Sequence, residues 1–334
     1  MRRLFWNARE RRLRMFWRLL AWAVLLVLAM HLLGIAIRLG VAGVVTGPAI
    51  MAWLQEPLCS LAVLLVVSVA STWLAARFLD RRRCADLGLQ MDRAWWADLG
   101  FGLGLGALLM TAIFAVEWAA GWLTVTGVCV MAKPGQPFIP GFLVPVAAFL
   151  CVGFYEELLI RGYLLRNLAE GLKHPRIGAK GAVALAWLLS SVIFGLLHAR
   201  NANATTTSTI NLCLAGLFLG LGYVLTGRLT IPIGLHITWN LFQGNVFGFP
   251  VSGSEMFPTT VVAISQGGPD LWTGGAFGPE AGLLGILASL MGSLLIVFWA
   301  RRRYGRRGLD ASLAEPPGQR TKAIAHREAT TISV

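Results

Sequence analysis

Long apolar runs separated by short charged segments dominate the sequence. A membrane-spanning α-helix needs about 20 mainly apolar residues, and eight stretches of the 334-residue chain reach that length. They lie at about 19–38, 58–79, 99–123, 141–165, 182–199, 208–226, 230–249 and 281–300. The hydropathy of the fifth and seventh stretches is lowered by His198, His236 and Asn240. The pattern predicts an all-α polytopic membrane protein with about eight transmembrane helices.

The distribution of cations predicts the orientation of these helices. Loops on the cytoplasmic side of a membrane carry an excess of Lys and Arg. With the N-terminus in the cytoplasm, 25 Lys and Arg fall on cytoplasmic segments and 3 on external ones. We therefore expect both termini to be cytoplasmic. The first apolar run is too long for a cleaved signal peptide, and we expect it to remain in the protein.

The segments outside the apolar runs differ in composition. Residues 1–18 are basic. The part from Arg9 to Arg18 is expected either to lie on the membrane surface as an amphipathic helix or to act only as a topogenic charge cluster. Residues 250–280 form a long external connection without Lys or Arg and rich in Gly, Pro, Ser and Thr. Residues 305–334 are polar, which predicts a disordered cytoplasmic tail.

Composition narrows the functional classes. Charged residues make up 13% of the chain and apolar residues 56%, against about 25% charged in an ordinary soluble domain. The net charge of +13 lies mainly at the termini and in short loops, which favours anionic lipid at the basic termini as a partner and argues against nucleic acid. The five Cys have no C-x-x-C spacing, so neither a disulfide framework nor a zinc knuckle is predicted.

Three predicted helices contain ionisable or strongly polar side chains within their apolar runs. Each charged group there costs at least about 2.5 kcal/mol at the membrane centre, so each needs a partner or a function. Because the other apolar residues offer no adequate partners, we expect these groups to meet in one site. They are Glu156, Glu157 and Arg161 in the fourth helix, His198 in the fifth, and His236 and Asn240 in the seventh.

The two glutamates are expected to have different environments. Residues four apart share a helix face, whereas adjacent residues point about 100° apart. Glu157 and Arg161 can therefore form an ion pair, while Glu156 faces elsewhere and Gly153 leaves open space beside it. A desolvated carboxylate without a nearby cation is suited to act as a general base near neutral pH. The alternative for Glu156 is an interhelical hydrogen bond in its protonated form.

The histidines also occur in pairs at helical spacing. His236 and Asn240 present an imidazole and a carboxamide from one face, an arrangement suited to polarising a carbonyl or holding a water or metal. Either residue alone would more often be a helix-packing hydrogen bond. Phe194 and His198 share a face as well, so that the aromatic ring can wall a site beside the imidazole.

Together these residues resemble the three motifs of the CPBP family, the CAAX proteases and bacteriocin-processing proteins. This family is also called ABI and includes the type II CAAX prenyl endopeptidases. The region of resemblance, about 155–240, is roughly a quarter of the chain, and the eight-helix architecture is also similar. The E-E-x-x-x-R, F-x-x-x-H and H-x-x-x-N patterns are filled by Glu156, Glu157, Arg161, Phe194, His198, His236 and Asn240.

The resemblance implies an intramembrane endopeptidase acting on a membrane-associated peptide or protein, prenylated or not. In that scheme Glu156 activates a water, His198 helps to hold it, and His236 with Asn240 stabilises the oxyanion. The remaining motif residues would support these groups or be structural: Glu157, Arg161 and Phe194.

A metal is the open question of this scheme. Two imidazoles beside a carboxylate resemble a zinc ligand set, so Glu156, His198 and His236 are candidate ligands. They come from three separate helices and not from one H-E-x-x-H helix, so the spacing does not diagnose a metal. Zinc is therefore the favoured cofactor by a narrow margin, and a metal-independent Glu mechanism is the alternative.

Two other functional classes compete with the protease. The first is a catalytically idle bacteriocin-immunity or scaffold protein that binds a partner in the same chamber, although an idle protein need not keep the complete motif set. The second is a transporter or proton-coupled channel with Glu156 as a relay, which the lack of internal repeats disfavours.

The segment after His198 is expected to be unusual for a loop. Helical rise places His198 near the external end of its helix, so residues 199–209 are expected to re-enter the membrane as non-helical backbone that lines a cavity. The composition is typical of a bacterial cytoplasmic-membrane protein.

The predicted segments are a basic N-terminal segment (1–18), three helices with their loops (19–140), the catalytic core (141–249), an external loop (250–280), a last helix (281–300) and a cytoplasmic tail (301–334).

Overall fold

The apolar runs of the sequence are helical in the computed structural model, which describes residues 2–8, 10–43, 57–131, 135, 137–255, 257–305 and 308–317. The elements before the motif region are α1 (Arg2–Phe5), β1 (Trp6–Asn7), β2 (Arg12–Leu13), α2 (Met15–Gly43), α3 (Pro57–Leu74), α4 (Arg93–Ala119) and β3 (Leu123–Val130). A π-helical segment, Ala75–Asp80, extends α3.

The motif region and the C-terminal part are also mainly helical. Their elements are α5 (Phe138–Glu157), α6 (Arg166–Gly171), α7 (Gly178–Leu197), α8 (Thr206–Thr226), α9 (Thr230–Leu241), β4 (Thr260–Gln266), α10 (Asp270–Thr273) and α11 (Leu283–Tyr304). The π-helical segment Leu158–Leu165 joins α5 to α6 in one continuous helical run. A second π-helical segment, Phe242–Val246, extends α9.

Among the described residues, seven helices are long and apolar enough to cross a membrane. They agree with seven of the eight predicted spans, and the exception is the predicted span 230–249. Its α-helix has 12 residues and its π-helical extension to Val246 has 5, so the helical run remains shorter than the about 20 residues that a membrane span needs. The polar side chains of this stretch do not face lipid, because nearly every residue from Thr230 to Trp239 is buried inside the molecule.

Glycines allow α9 to pack directly on its neighbours. A Cβ added to Gly102 of α4 would lie 2.5 Å from the Ile231 carbonyl oxygen of α9. One added to Gly234 of α9 would lie 2.6 Å from the Leu99 oxygen of α4. At both contacts the atom opposite the glycine belongs to backbone, so a side chain could be fitted only by separating the helices. Small residues of this kind are typical of close helix contacts in membranes.

A two-stranded ribbon crosses one end of the helices. Strand β3 pairs antiparallel with β4 from Leu123 opposite Gln266 to Val130 opposite Thr260, with a bulge after Val125. The sequence analysis treated residues 250–280 as a loop and missed this ribbon. The two strands lie far apart in the chain, so no local hairpin signal announces their pairing.

Part of the basic N-terminal segment is buried. Arg18 donates to Asp80 at 2.7 Å and to Glu170 at 2.7 Å, and Arg12 and Arg82 also donate to Glu170. The amphipathic surface helix considered above is absent from the described residues of 1–14, where α1 spans four residues and a short hairpin follows. The cations of this segment therefore also hold the ends of α2, α3 and α6 together.

The C-terminal tail is ordered over residues 308–317, contrary to the expected disorder of this part. Leu313 and Ala314 are fully buried, the Asp310 amide donates to the Val224 oxygen at 2.8 Å, and Lys173 pairs with Glu315 at 2.7 Å. Apolar side chains within a polar stretch explain the difference. The rest of the predicted disordered tail, 306–307 and 318–334, lies outside the described residues.

Candidate active site

Each of the three motifs contributes polar residues to the wall of one cavity of about 590 Å³. This volume is typical of pockets that enclose a drug-sized ligand. Four candidate residues line the cavity: Glu156 from α5, His198 from the end of α7, and His236 and Asn240 from α9. Glu157 and Arg161 are not among the residues that line it. The predicted divergence of the two adjacent glutamates is therefore present in the structure.

Glu156 is the carboxylate that reaches the cavity. Its side chain is 21% exposed, whereas that of Glu157 is fully buried. The Tyr155 hydroxyl donates to Glu156 Oε1 at 3.4 Å, and Glu156 Oε2 lies 3.8 Å from His236 Nε2. A carboxylate and an imidazole at this separation can share one water or one reacting group between them.

The space beside Glu156 differs from the expectation that Gly153 leaves it open. A Cβ added to Gly153 would lie 2.6 Å from Ile237 Cγ1 and 3.1 Å from the Ile237 nitrogen. Helix α9 therefore occupies that space, because the missing side chain allows its backbone to approach α5. This close approach brings His236 to the two glutamates.

Glu157 connects the first motif to the third. Its Oε1 accepts a hydrogen bond from Arg161 Nη1 at 2.7 Å and lies 2.8 Å from His236 Nδ1. A carboxylate that pairs with an arginine is ionised and can only accept, so Nδ1 of His236 carries the proton in this contact. Nε2 is thereby directed to the cavity. The sequence analysis paired Glu157 with Arg161 alone and missed its contact with His236.

Arg161 is enclosed on every side. Nη2 donates to the Gly216 oxygen of α8 at 2.9 Å, and the guanidinium carbon lies 4.6 Å from the centre of the Phe194 ring. The cation is therefore compensated by the Glu157 carboxylate, a carbonyl and an aromatic face. These contacts link α5, α7 and α8 directly behind the cavity.

His198 is held by its own helix. Its Nδ1 lies 2.8 Å from the Phe194 oxygen, and because a carbonyl can only accept, Nδ1 is the donor. The neutral ring then has Nε2 as an acceptor. The Phe194 ring lies 4.7 Å from the His198 ring and 6.2 Å from the His236 ring. Phe194 therefore lies close to both imidazoles and lines the cavity.

These side chains do not form a set of metal ligands in the described structure. Within the described part of the chain, no group of three or more His, Cys, Asp and Glu lies close enough to hold a metal ion. Glu156, His198 and His236 share a cavity without converging on one point in this arrangement. The zinc site remains a prediction.

The far wall of the cavity comes from segments outside the three motifs. Val130 of β3 and Ile264 of β4 line it, as do Asn201 and Ala202 from the segment predicted to re-enter the membrane. Asn201 Nδ2 donates to the Ser252 oxygen at 3.0 Å. Residues 199–205 are non-helical, and Asn201 and Ala202 among them line the cavity. The rest of the segment predicted as non-helical, 206–209, is helical, because α8 begins at Thr206.

Sequence reasoning missed two further carboxylates in this wall. Glu255 and Glu280 line the same cavity, and both belong to the connection interpreted as an external loop. Glu280 is buried, and Ser252 donates to its Oε1 from the amide at 2.5 Å and from the hydroxyl at 3.0 Å. The sequence gives little indication that these two acids reach the site. They lie in a connection without Lys or Arg, and no spacing rule relates them to the three motifs.

Comparison with known families supports the assignment made from the motifs. Residues 138–242 match the family model described as type II CAAX prenyl endopeptidase Rce1-like. No curated protein and no solved structure matches the chain. The predicted resemblance is thus confirmed for a segment that includes all three motifs. With its seven apolar helices, the chain is an integral membrane protein, and its residues 138–242 are similar to this family.

Proposed function

We propose that this protein is an intramembrane endopeptidase that hydrolyses a peptide bond with a water activated by Glu156. The observation that carries the proposal is the position of Glu156 on a cavity wall, 3.8 Å from His236 Nε2 and across a space shared with His198 and Asn240. A peptide bond within a membrane lacks bulk water, so a sealed polar chamber must supply both a nucleophile and charge stabilisation.

The roles follow from the donor and acceptor properties of each side chain. Glu156 takes a proton from water while the water oxygen attacks the carbonyl carbon, and His198 Nε2 accepts a hydrogen bond that orients this water. The oxyanion receives hydrogen bonds from the Asn240 amide and from a protonated His236, whose charge Glu157 stabilises. Glu156 then gives its proton to the leaving amine as the C–N bond breaks.

Three further residues act on these groups indirectly. Glu157 fixes the His236 ring through Nδ1, and Arg161 donates to Glu157 and holds this carboxylate in place. Phe194 lies beside both imidazoles and covers the Arg161 guanidinium. We propose them as positioning residues, since none of the three supplies a proton or charge to the cavity.

The proposal uses Glu156 without a metal, and metal analysis of the purified chain decides between this mechanism and the zinc alternative. Stoichiometric zinc that is lost in His198→Ala would favour the metal. Full activity after exhaustive chelation would favour the mechanism above. As for location, the composition and the cation distribution support a bacterial cytoplasmic membrane.

The decisive experiment compares Glu156→Gln with Glu157→Gln in the same purified, folded preparation. Glu156→Gln keeps the shape of the side chain and removes the base, so we expect turnover to fall by on the order of 100-fold or more at unchanged stability. Glu157→Gln should lower stability as well, because Arg161 loses its counter-ion. A stable, inactive Glu157→Gln beside a Glu156→Gln with near-normal turnover would disprove the assignment.

A further inference from the structure

The ionisable side chains that line the cavity are unbalanced in charge. Among the described lining residues there are three carboxylates and no Lys or Arg. Glu156 is the proposed base, and the other two carboxylates, Glu255 and Glu280, have no place in the proposed reaction. A cavity with low-dielectric walls concentrates the field of its charges, so such an excess affects which substrates enter.

Glu280 is committed to the wall itself. Its Oε1 accepts hydrogen bonds from the Ser252 amide and hydroxyl, and its Oε2 accepts one from Gln243. Burial raises the pKa of the Glu280 carboxyl and so favours its neutral form. With both oxygens occupied, Glu280 holds the connection after Pro250 in place and offers no free charge to a ligand.

Glu255 is different, because its carboxylate is available. It is exposed, lines the cavity three residues after Ser252, and has no hydrogen bond or ion pair with any described residue. Among the described residues, Glu156 and Glu280 have polar partners in the cavity wall, whereas no cation lies beside the Glu255 carboxylate. The missing partner can be provided by a substrate that enters the cavity.

We propose that Glu255 is a specificity-determining residue that selects peptide segments bearing a Lys or Arg side chain. The inference rests on the proposed endopeptidase function and adds the charge class of its substrate. The same electrostatics disfavour a substrate that places a free C-terminal carboxylate in the cavity, because that group would face Glu255 and Glu156 with no described cation among the lining residues.

The test uses internally quenched ten-residue peptides of Ala and Leu, cleaved by the purified full-length chain. A single Lys is moved through the positions, and each peptide is paired with one in which norleucine replaces the Lys. Norleucine has a similar apolar stem but no ammonium group. Each peptide is made with an amidated and with a free C-terminus, and Glu156→Gln provides the background rate.

At the best position, we expect kcat/KM for Lys to exceed that for norleucine at least threefold, with the ratio falling as salt is added. Glu255→Gln should reduce the ratio to near one. The matched control is Asp270→Asn, since Asp270 is an exposed carboxylate of the same connection that does not line the cavity. Its ratio should equal that of the wild type.

The outcomes separate this inference from the proposed function. Three results would overturn the selectivity and leave the endopeptidase function standing, provided that cleavage depends on Glu156. The first is a Lys-to-norleucine ratio of kcat/KM below threefold. The second is the same ratio in Glu255→Gln, and the third is a threefold preference for the free C-terminus. If no peptide is cleaved above the Glu156→Gln background, the proposed function fails, and the inference that depends on it fails as well.

Discussion

At the scale of single residues, Arg161 illustrates how a buried charge can be essential without touching substrate. It is fully buried and pairs with Glu157. Removing one member of such a pair leaves the other uncompensated, which costs about 3 to 5 kcal/mol. We expect Arg161→Ala to lose stability of this order in thermal unfolding and to lose activity only through it. Normal stability combined with lost turnover would instead place Arg161 in the reaction.

Glu280 predicts a pH dependence of stability. Burial raises its pKa above the unfolded value, so the folded chain holds this proton more tightly than the unfolded chain. The free energy of unfolding should therefore fall as the pH rises from the unfolded value of about 4.3 through the raised folded pKa. Unfolding measured across this range should show the slope in the wild type and a smaller slope in Glu280→Gln. Equal slopes would contradict the prediction.

The residue contacts also define what the sequence could predict. The i, i+4 spacing predicted the ion pair between Glu157 and Arg161. The adjacent positions of Glu156 and Glu157 on a helix predicted that their side chains point in different directions. The bond between Glu157 and His236 joins residues on separate helices, and helical spacing carries no information about such contacts. Gly153 was misread for the same reason, because its open side is filled by a neighbouring helix.

At the scale of elements, the contact between α4 and α9 positions His236 and can be tested with two neighbouring glycines. Gly102 has no room for a Cβ, whereas Gly104 has nothing within 4 Å of one. We expect Gly102→Ala to cost about 1 to 3 kcal/mol of stability and Gly104→Ala to be neutral or stabilising by up to about 1 kcal/mol. Thermal unfolding of both variants is the measurement. Equal effects would show that α9 does not depend on this contact.

The elements that the sequence missed are those stabilised by distant partners. Long apolar runs gave the seven membrane-length helices, because length and hydropathy are local properties. The β3–β4 ribbon and the buried tail around Leu313 depend on partners far along the chain. The stretch from Thr230 was correctly predicted to be helical, but its length was overestimated, since apolar residues continue after the α-helix ends.

At the scale of the whole molecule, orientation in the membrane stays a prediction from the cation count. Reporter fusions after Arg93, Lys180 and Arg307 should report a cytoplasmic location, and a fusion near Gly267 an external one. Paired fusions with a reporter active only in the cytoplasm and one active only outside provide the control. A cytoplasmic signal at Gly267 would contradict the predicted external location of residues 250–280.

The pairing of β3 with β4 has a consequence for biosynthesis. β3 precedes the family-matched segment 138–242 and β4 follows it, so the ribosome has released every motif residue before the second strand exists. Contacts between distant parts of a chain also form late, because loop-closure entropy opposes them. A nascent chain that has not reached Gln266 therefore holds Glu156, His198 and His236 beside a cavity that lacks its β4 wall. On the proposed function, we expect such a chain to hydrolyse peptides more slowly than the finished protein.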